Sequence, residues 1–186
     1  MHATVLPTPI GPLQLIADDH ALFRINFSDS KDEQDPALGP APDDHPLLCR
    51  AKGQLEEYFQ GMRKSFDLPL NPQGTKFQQT VWNYMQEIPF GETRTYGELA
   101  TALGNVNKAR AVGGAANKNP LPVVIPCHRV IGRSGKLTGF AGGLATKQFL
   151  LDLEEKEGFR RQQRRSNEPP LFHVGGADPR LPKFDQ

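Results

Sequence analysis

The chain has 186 residues, 23% of them charged, a formal net charge of +1, two cysteines and five histidines. That length allows one domain, or two small ones, with a real core. Two cysteines argue against a disulfide framework and for a reducing setting, and without C-x-x-C or clustered Cys/His spacing no metal and no cofactor is expected.

The first residues, 1–17, are broken by Pro7, Pro9 and Pro12 and lack a basic start, so they do not read as a signal peptide. No apolar run approaches membrane length. The expectation is a soluble protein of the cytoplasm, or of the nucleus in a eukaryote, with no membrane partner. Charge is unevenly spread. Residues 1–75 hold 6 basic and 11 acidic side chains, and residues 76–151 hold 9 basic and 3 acidic ones. The second part therefore carries the footprint of a polyanion-binding surface or, equally well on charge alone, an ordinary solvated face.

In chain order, residues 13–16 and 22–27 alternate as short strands around a turn at 18–20. Residues 29–46, rich in Asp, Pro and Ala, read as a mobile loop. Residues 45–62 predict a helix, with Leu47, Leu48, Leu55, Tyr58, Phe59 and Met62 at helical spacing. Cys49 reads as a small buried hydrophobe. Pro69, Pro72 and Gly74 mark a linker. Thr75 caps a helix through Phe77, Val81, Trp82, Met85 and Ile88, stopped at Pro89. Thr95 caps a short helix over 96–103, closed by Gly104. A turn at 105–107 leads to a helix over 108–118, stopped by Asn119 and Pro120. Two short helices joined this way resemble a helix-turn-helix. Residues 121–125 predict a buried strand, 132–143 a glycine-rich loop, and 146–157 a last helix with Phe149, Leu150 and Leu153 inward. Residues 160–186 are basic and Pro-rich and predict disorder.

Two places carry chemistry. Residues 126–130 read Pro-Cys-His-Arg-Val. A thiol attacks as its thiolate, and an imidazole one residue away can supply the base, directly or through a water. A third group should orient that imidazole, and Glu154, Glu155 and Glu157 are all candidates. Within helix 108–118, Ala109, Val112 and Ala116 suit packing, while Arg110, Gly113, Gly114 and Asn117 share another face. Two helical glycines cost about 1 kcal/mol each, which points to close approach by something on that face: a nucleic-acid backbone, or a packed helix.

Residues 126–130, with 110–115 (Arg-Ala-Val-Gly-Gly-Ala), Asn119-Pro120, 142–144 (Gly-Gly-Leu), 88–93 (Ile-Pro-Phe-Gly-Glu-Thr) and 96–100 (Tyr-Gly-Glu-Leu-Ala), are similar to the O6-alkylguanine-DNA alkyltransferase family. The motifs keep order and spacing from about Phe77 to Glu154. The resemblance implies an α/β plus mostly α fold: a small N-terminal α/β (ribonuclease-H-like) domain over 1–70, a linker over 71–75, a winged-helix-like helix-turn-helix alkyltransferase domain over 76–158, and a basic tail over 159–186.

It also implies roles. Cys127 takes the alkyl group from O6 of a damaged guanine, or from O4 of an alkylated thymine, once and irreversibly. His128 deprotonates it through a water, Glu154 holds the imidazole, and Asn119 ties the DNA-reading helix to the active-site segment. Arg110 fills the gap left by the extruded base, and Tyr96 helps to rotate the nucleotide. Gly97, Asn105, Gly113, Gly114, Asn117 and Arg133 join the DNA contacts, made from the minor groove. Val130, Ser134, Phe140 and Ala141 line the pocket. The implied partner is double-stranded DNA containing alkylated guanine, met by a monomer. Many members have tyrosine where Phe140 stands; phenylalanine can stack but cannot donate a proton. The family's zinc-binding form lacks its Cys/His set here. A lesion sensor, a helix-turn-helix regulator and a cysteine hydrolase are the rival readings; the presence of Cys127 speaks against the first.

Overall fold

The computed structural model describes residues 1–27, 39–40, 42 and 44–167. Strands β1 (His2–Leu6), β2 (Leu13–Ala17) and β3 (Leu22–Phe27) form an antiparallel meander. The two-residue β4 (Gly39–Pro40) joins parallel to β1, giving the order β3-β2-β1-β4. It falls inside the stretch predicted as loop; most of the rest of that stretch lies outside the described residues. The strand β1 escaped the alternation test because only Leu6 of its five residues is fully buried. Helix α1 (Pro46–Phe59) packs on β2 through Leu47, Leu48, Ala51, Leu55 and Tyr58.

Two details of α1 differ from the prediction. It ends at Phe59, because Gly61 adopts φ 74°, a left-handed conformation that stops a helix and favours glycine. Met62 therefore lies outside the apolar stripe and is 63% exposed. Cys49 is exposed rather than buried: it directly follows Leu47 and Leu48, and the helical rotation carries it off their stripe.

The second half is mostly helical. Helices α2 (Lys76–Gln86) and α3 (Tyr96–Ala102) each begin in a capping box, Thr75 with Gln78 and Thr95 with Glu98, which satisfies otherwise orphaned N–H groups. Both pack on α4 (Ala109–Asn117), which follows a single 3-10 turn at Val106–Lys108. Val112, Ala115 and Ala116 form the buried face of α4, and Trp82 Nε1 donates to the Ala115 carbonyl at 2.9 Å. The pair α3–α4 is the helix-turn-helix.

Residues 121–125 are buried as expected but are not a strand. Ile125 N–H donates to the Leu121 carbonyl at 2.8 Å, and Val123 sits at φ 73°. The run is a tight turn, and an apolar run of this length cannot reveal its own backbone shape. A further 3-10 turn, Cys127–Arg129, leads into β6 (Val130–Ile131), which pairs parallel with β5 (Arg94–Thr95).

The last helix, α5 (Gly143–Asn167), is longer at both ends than predicted and runs into the segment read as a disordered tail. The Arg and Gln residues at 160–165 favour helix, a signal that composition alone hides. Residues 168–186 lie outside the described residues. Leu150 is fully buried, whereas Phe149 is on the exposed side.

The two halves share one apolar core. Ile25 N–H of β3 donates across to the Pro120 carbonyl at 2.8 Å, while Leu22 N–H donates to the Pro69 carbonyl at 2.8 Å and Asn71 N–H to the Leu22 carbonyl at 3.0 Å. The beginning of the predicted linker is thus held against a strand edge.

Candidate active site

Cys127 and His128 begin the 3-10 turn that follows Pro126, and α5 passes beside that turn. The local bend makes adjacent residues diverge. The sulfur of Cys127 stays near Asn119, Tyr96 and Lys147, while the imidazole of His128 turns inward to Glu154. Cys127 is 7% exposed and His128 fully buried.

Glu154, 1% exposed, is the hub. Its Oε1 accepts from His128 Nε2 at 2.8 Å, from Arg129 Nη2 at 2.9 Å and from the Tyr58 hydroxyl at 2.8 Å. Its Oε2 accepts from Arg129 Nε and from Gly91 N–H, each at 2.9 Å. Arg129 completes its own set by donating to the Ile88 carbonyl at 2.6 Å. Of the glutamates open from the sequence, Glu154 reaches the imidazole, and the side chain of Glu157 lies outside the described residues. An ionised carboxylate can only accept, so His128 carries its hydrogen on Nε2. Its Nδ1 is buried and has no partner among the described residues, which leaves a lone pair free to take a proton.

Electrostatics follow from this packing. Burial alone would raise the Glu154 carboxyl, but the hydrogen bonds from His128 and Arg129, with the Arg129 charge and that of His128 once it is protonated, more than reverse it and hold it at about 2. Burial pushes His128 below its ordinary value, partly opposed by Glu154, so the imidazole rests neutral, as a base must. Burial raises the Cys127 thiol, opposed by a hydrogen bond from Asn119 and the charge of Lys147. The sulfur therefore rests protonated.

Asn119 is the local clamp. Its Nδ2 donates to the Ile125 carbonyl at 2.8 Å and its Oδ1 accepts from Leu121 N–H at 3.0 Å. It thereby joins the end of α4 to the turn that carries the thiol. Tyr96 connects the thiol to the helix-turn-helix. Its ring lies 3.7 Å from where a Cβ on Gly113 would sit, and its hydroxyl donates to the Thr138 carbonyl at 3.1 Å. An added Cβ at Gly113 would make only an ordinary contact with that ring. Gly114, with nothing within 4 Å of an added Cβ, faces open space. Arg110, Asn105, Asn117 and Arg133 are exposed and Gly97 is half-buried; Arg110, Gly114 and Asn117 form the outer side of α4.

Of the residues expected to line the pocket, Val130 is buried and Ser134 and Ala141 are exposed. Phe140 is buried edge-on against Phe27 of β3, with ring centroids 5.8 Å apart. The same Phe27 explains Gly142, where any Cβ would come within 2.6 Å of its ring.

Three residues of this site were not picked out from the sequence. Arg129 and Lys147 were counted in the basic footprint, yet both are buried. Lys147 donates from Nζ to the carbonyls of Val130 at 2.5 Å and Thr138 at 3.0 Å. Tyr58 read only as a core position of the first domain. The buried Arg129 could have been suspected from its place beside the Cys-His pair; Lys147 and Tyr58 depend on long-range packing.

One cluster among the described residues has metal-ligating atoms: His2, Asp19 and His45, within 4.8 Å of one another. Nδ1 of His45 accepts from Leu48 N–H at 3.4 Å as the helix cap, which places the proton of a neutral ring on Nε2, toward Asp19 at 3.5 Å. The helix cap and metal ligation through that ring compete for the same lone-pair arrangement.

A sheet domain docked on a helix-turn-helix domain, with a cysteine backed by a His–Glu pair, defines a DNA-directed protein with a base-activated thiol. Two family profiles match: "6-O-methylguanine DNA methyltransferase, ribonuclease-like domain" over residues 1–72, and "6-O-methylguanine DNA methyltransferase, DNA binding domain" over residues 76–156. The chain belongs to the methylated-DNA–protein-cysteine methyltransferase family. It is 48% identical to the member from Methanosarcina acetivorans over 158 residues, which cover 83% of this chain and 98% of that one. It is 43% identical to the constitutive member from Bacillus subtilis over 154 residues, 81% and 93% of the two chains. Among solved structures, that of the Mycobacterium tuberculosis OGT in complex with DNA is similar with a TM-score of 0.78 and 41% identity, covering 84% of this chain and 94% of that one.

Proposed function

We propose that this protein repairs DNA by direct reversal, taking the alkyl group from O6 of guanine, or O4 of thymine, onto the sulfur of Cys127. The observation that carries the reading is the buried Cys127–His128–Glu154 arrangement, set beside a tyrosine that packs on the glycine face of α4. His128 receives the thiol proton at Nδ1, through a bridging water, and Glu154 meets the resulting positive charge. The thiolate attacks the alkyl carbon in line. The S–C bond forms as the C–O bond to guanine breaks, and the leaving base takes up a proton. Tyr96 or water supplies that proton, since Phe140 has none to give; a backbone N–H near Ala141 can only donate a hydrogen bond to the leaving base. The thioether is stable, so each molecule acts once.

In-line attack needs an unstacked base. We assign Arg110 to the gap in the duplex, Tyr96 to rotating the nucleotide, and Gly97, Asn105, Gly113, Gly114, Asn117 and Arg133 to the DNA contacts. Val130, Ser134, Phe140 and Ala141 shape the pocket. Binding made mostly to phosphate should fall steeply with salt. The protein acts as a monomer, with residues 76–158 forming the DNA-binding and catalytic unit. No helix among the described residues is long and apolar enough to cross a membrane, and its substrate puts its work where the chromosome lies, in cytoplasm or nucleus.

Intact mass spectrometry after exposure to duplex DNA carrying O6-methylguanine tests the reading. One CH2 gained per molecule, on the peptide holding Cys127, is expected. Turnover beyond one equivalent, or methyl on another residue, refutes it.

A further inference from the structure

The mechanism above gives Tyr58 no part, yet its hydroxyl lies inside the catalytic hydrogen-bond network. Tyr58 stands in the last turn of α1, in the first domain, and is fully buried. Phe59 and Phe90 meet its ring edge-on and Phe66 lies tilted to it, with centroids 5.4, 6.1 and 5.5 Å away. The ring is fixed, and so is the direction of its hydroxyl. That hydroxyl donates to Oε1 of Glu154 at 2.8 Å and lies 3.4 Å from Nε2 of His128. Burial and the Glu154 charge push the phenol well above its ordinary value, so it remains a donor throughout the working pH range.

A buried tyrosine hydroxyl commonly finds some acceptor. What distinguishes this one is which acceptor it finds. Oε1 is the oxygen that receives the His128 proton, and the Arg129 fork and Gly91 N–H take Oε2 and the remaining side of Oε1. We propose that Tyr58 is a positioning residue for alkyl transfer: its hydroxyl holds Oε1 of Glu154 on the Nε2–H of His128, so that the first domain completes the base that serves Cys127. The inference rests on the reading of Cys127 as alkyl acceptor. It gives the sheet domain a direct role in reactivity, carried by a single oxygen across the domain boundary.

The test is the full-length Tyr58→Phe variant, which keeps the ring and removes the donor. Single-turnover methyl transfer from O6-methylguanine duplex is measured across pH, at subsaturating and saturating DNA. The rate at saturation should fall about ten- to a hundredfold, the equivalent of losing a hydrogen bond to a charged group. The half-saturating DNA concentration should stay within twofold. Removing the donor leaves Glu154 more attractive to a proton on His128, so the acid limb of the rate should move to higher pH. In a Glu154→Gln background the same change should add little, because the two act as a unit.

A saturated rate within twofold of wild type overturns the proposal, and so does a full additional loss in the Glu154→Gln background. Wild-type protein that takes no methyl group refutes the function reading itself, a separate outcome. Should Tyr58→Phe not fold, 3-fluorotyrosine at position 58 keeps the shape and strengthens the donor. The acid limb should then move to lower pH, and an unmoved limb overturns the inference.

Discussion

Replacing Arg129 by methionine tests whether the buried ion pair, and not the apolar packing around it, sets the stability of the active-site region. Methionine retains the bulk of the stem but leaves Glu154 with Tyr58, His128 and Gly91 N–H as its donors among the described residues. Breaking a buried pair from one side costs about 3–5 kcal/mol. In a chain of this size each kcal/mol shifts the midpoint by about 2–4 °C, so a fall of roughly 6–20 °C is expected. Acid titration provides an independent check. Glu154 is held at about 2, below its ordinary 4.5. A depressed carboxyl stabilises the fold above its unfolded value and loses that contribution as pH falls through the folded one. Wild type should therefore lose about 3 kcal/mol from this group between pH 5 and 2, and the variant should lose much less. The assay is thermal unfolding followed by circular dichroism at a series of pH values. A variant that melts within 2 °C of wild type and keeps the wild-type acid slope would refute the argument.

Two further substitutions separate the thiol's surroundings from the DNA face. Lys147→Met removes the charge that opposes the burial of the Cys127 thiol and takes its donor from the buried Val130 carbonyl, while the Thr138 carbonyl keeps the Tyr96 hydroxyl. Iodoacetamide labelling of Cys127 should slow and its pH profile move upward, with a stability loss of about 2 kcal/mol; an unchanged labelling profile would show that Lys147 is only a brace. Gly114→Leu adds a side chain where the structure is open. It should raise helix stability by about 0.8 kcal/mol while weakening duplex binding by an order of magnitude in fluorescence anisotropy. Undiminished binding would remove that face of α4 from the DNA contact.

The site also explains why a thiol whose pKa is raised by burial is suited to this chemistry. A standing thiolate is open to oxidants and metals. Here the sulfur rests protonated, and in the proposed mechanism His128 can take its proton because Glu154 is already ionised and ready for the charge. Arg129 keeps it ionised. The buried cation is thus a condition for the neutral base beside it.

Local chemistry was legible in the amino-acid sequence because it is written at short range. The Thr75 and Thr95 caps, the Gly104 stop, the adjacent Cys127 and His128, and the paired glycines of α4 each depend on neighbours within a few residues, and periodicity and capping report such relations directly. What only the tertiary structure decided depends on residues far apart in the chain. Glu154 was chosen over its neighbour Glu155 by the orientation of α5, and residues 121–125 became a turn because Asn119 and Leu121 hold Ile125. Arg129 and Lys147, indistinguishable in sequence from surface cations, were drawn inside by a carboxylate and two carbonyls that the fold delivers to them. Tyr58 reached the catalytic pair across a domain boundary. A sequence states which groups are available, but burial and pairing depend on which distant surfaces close over them.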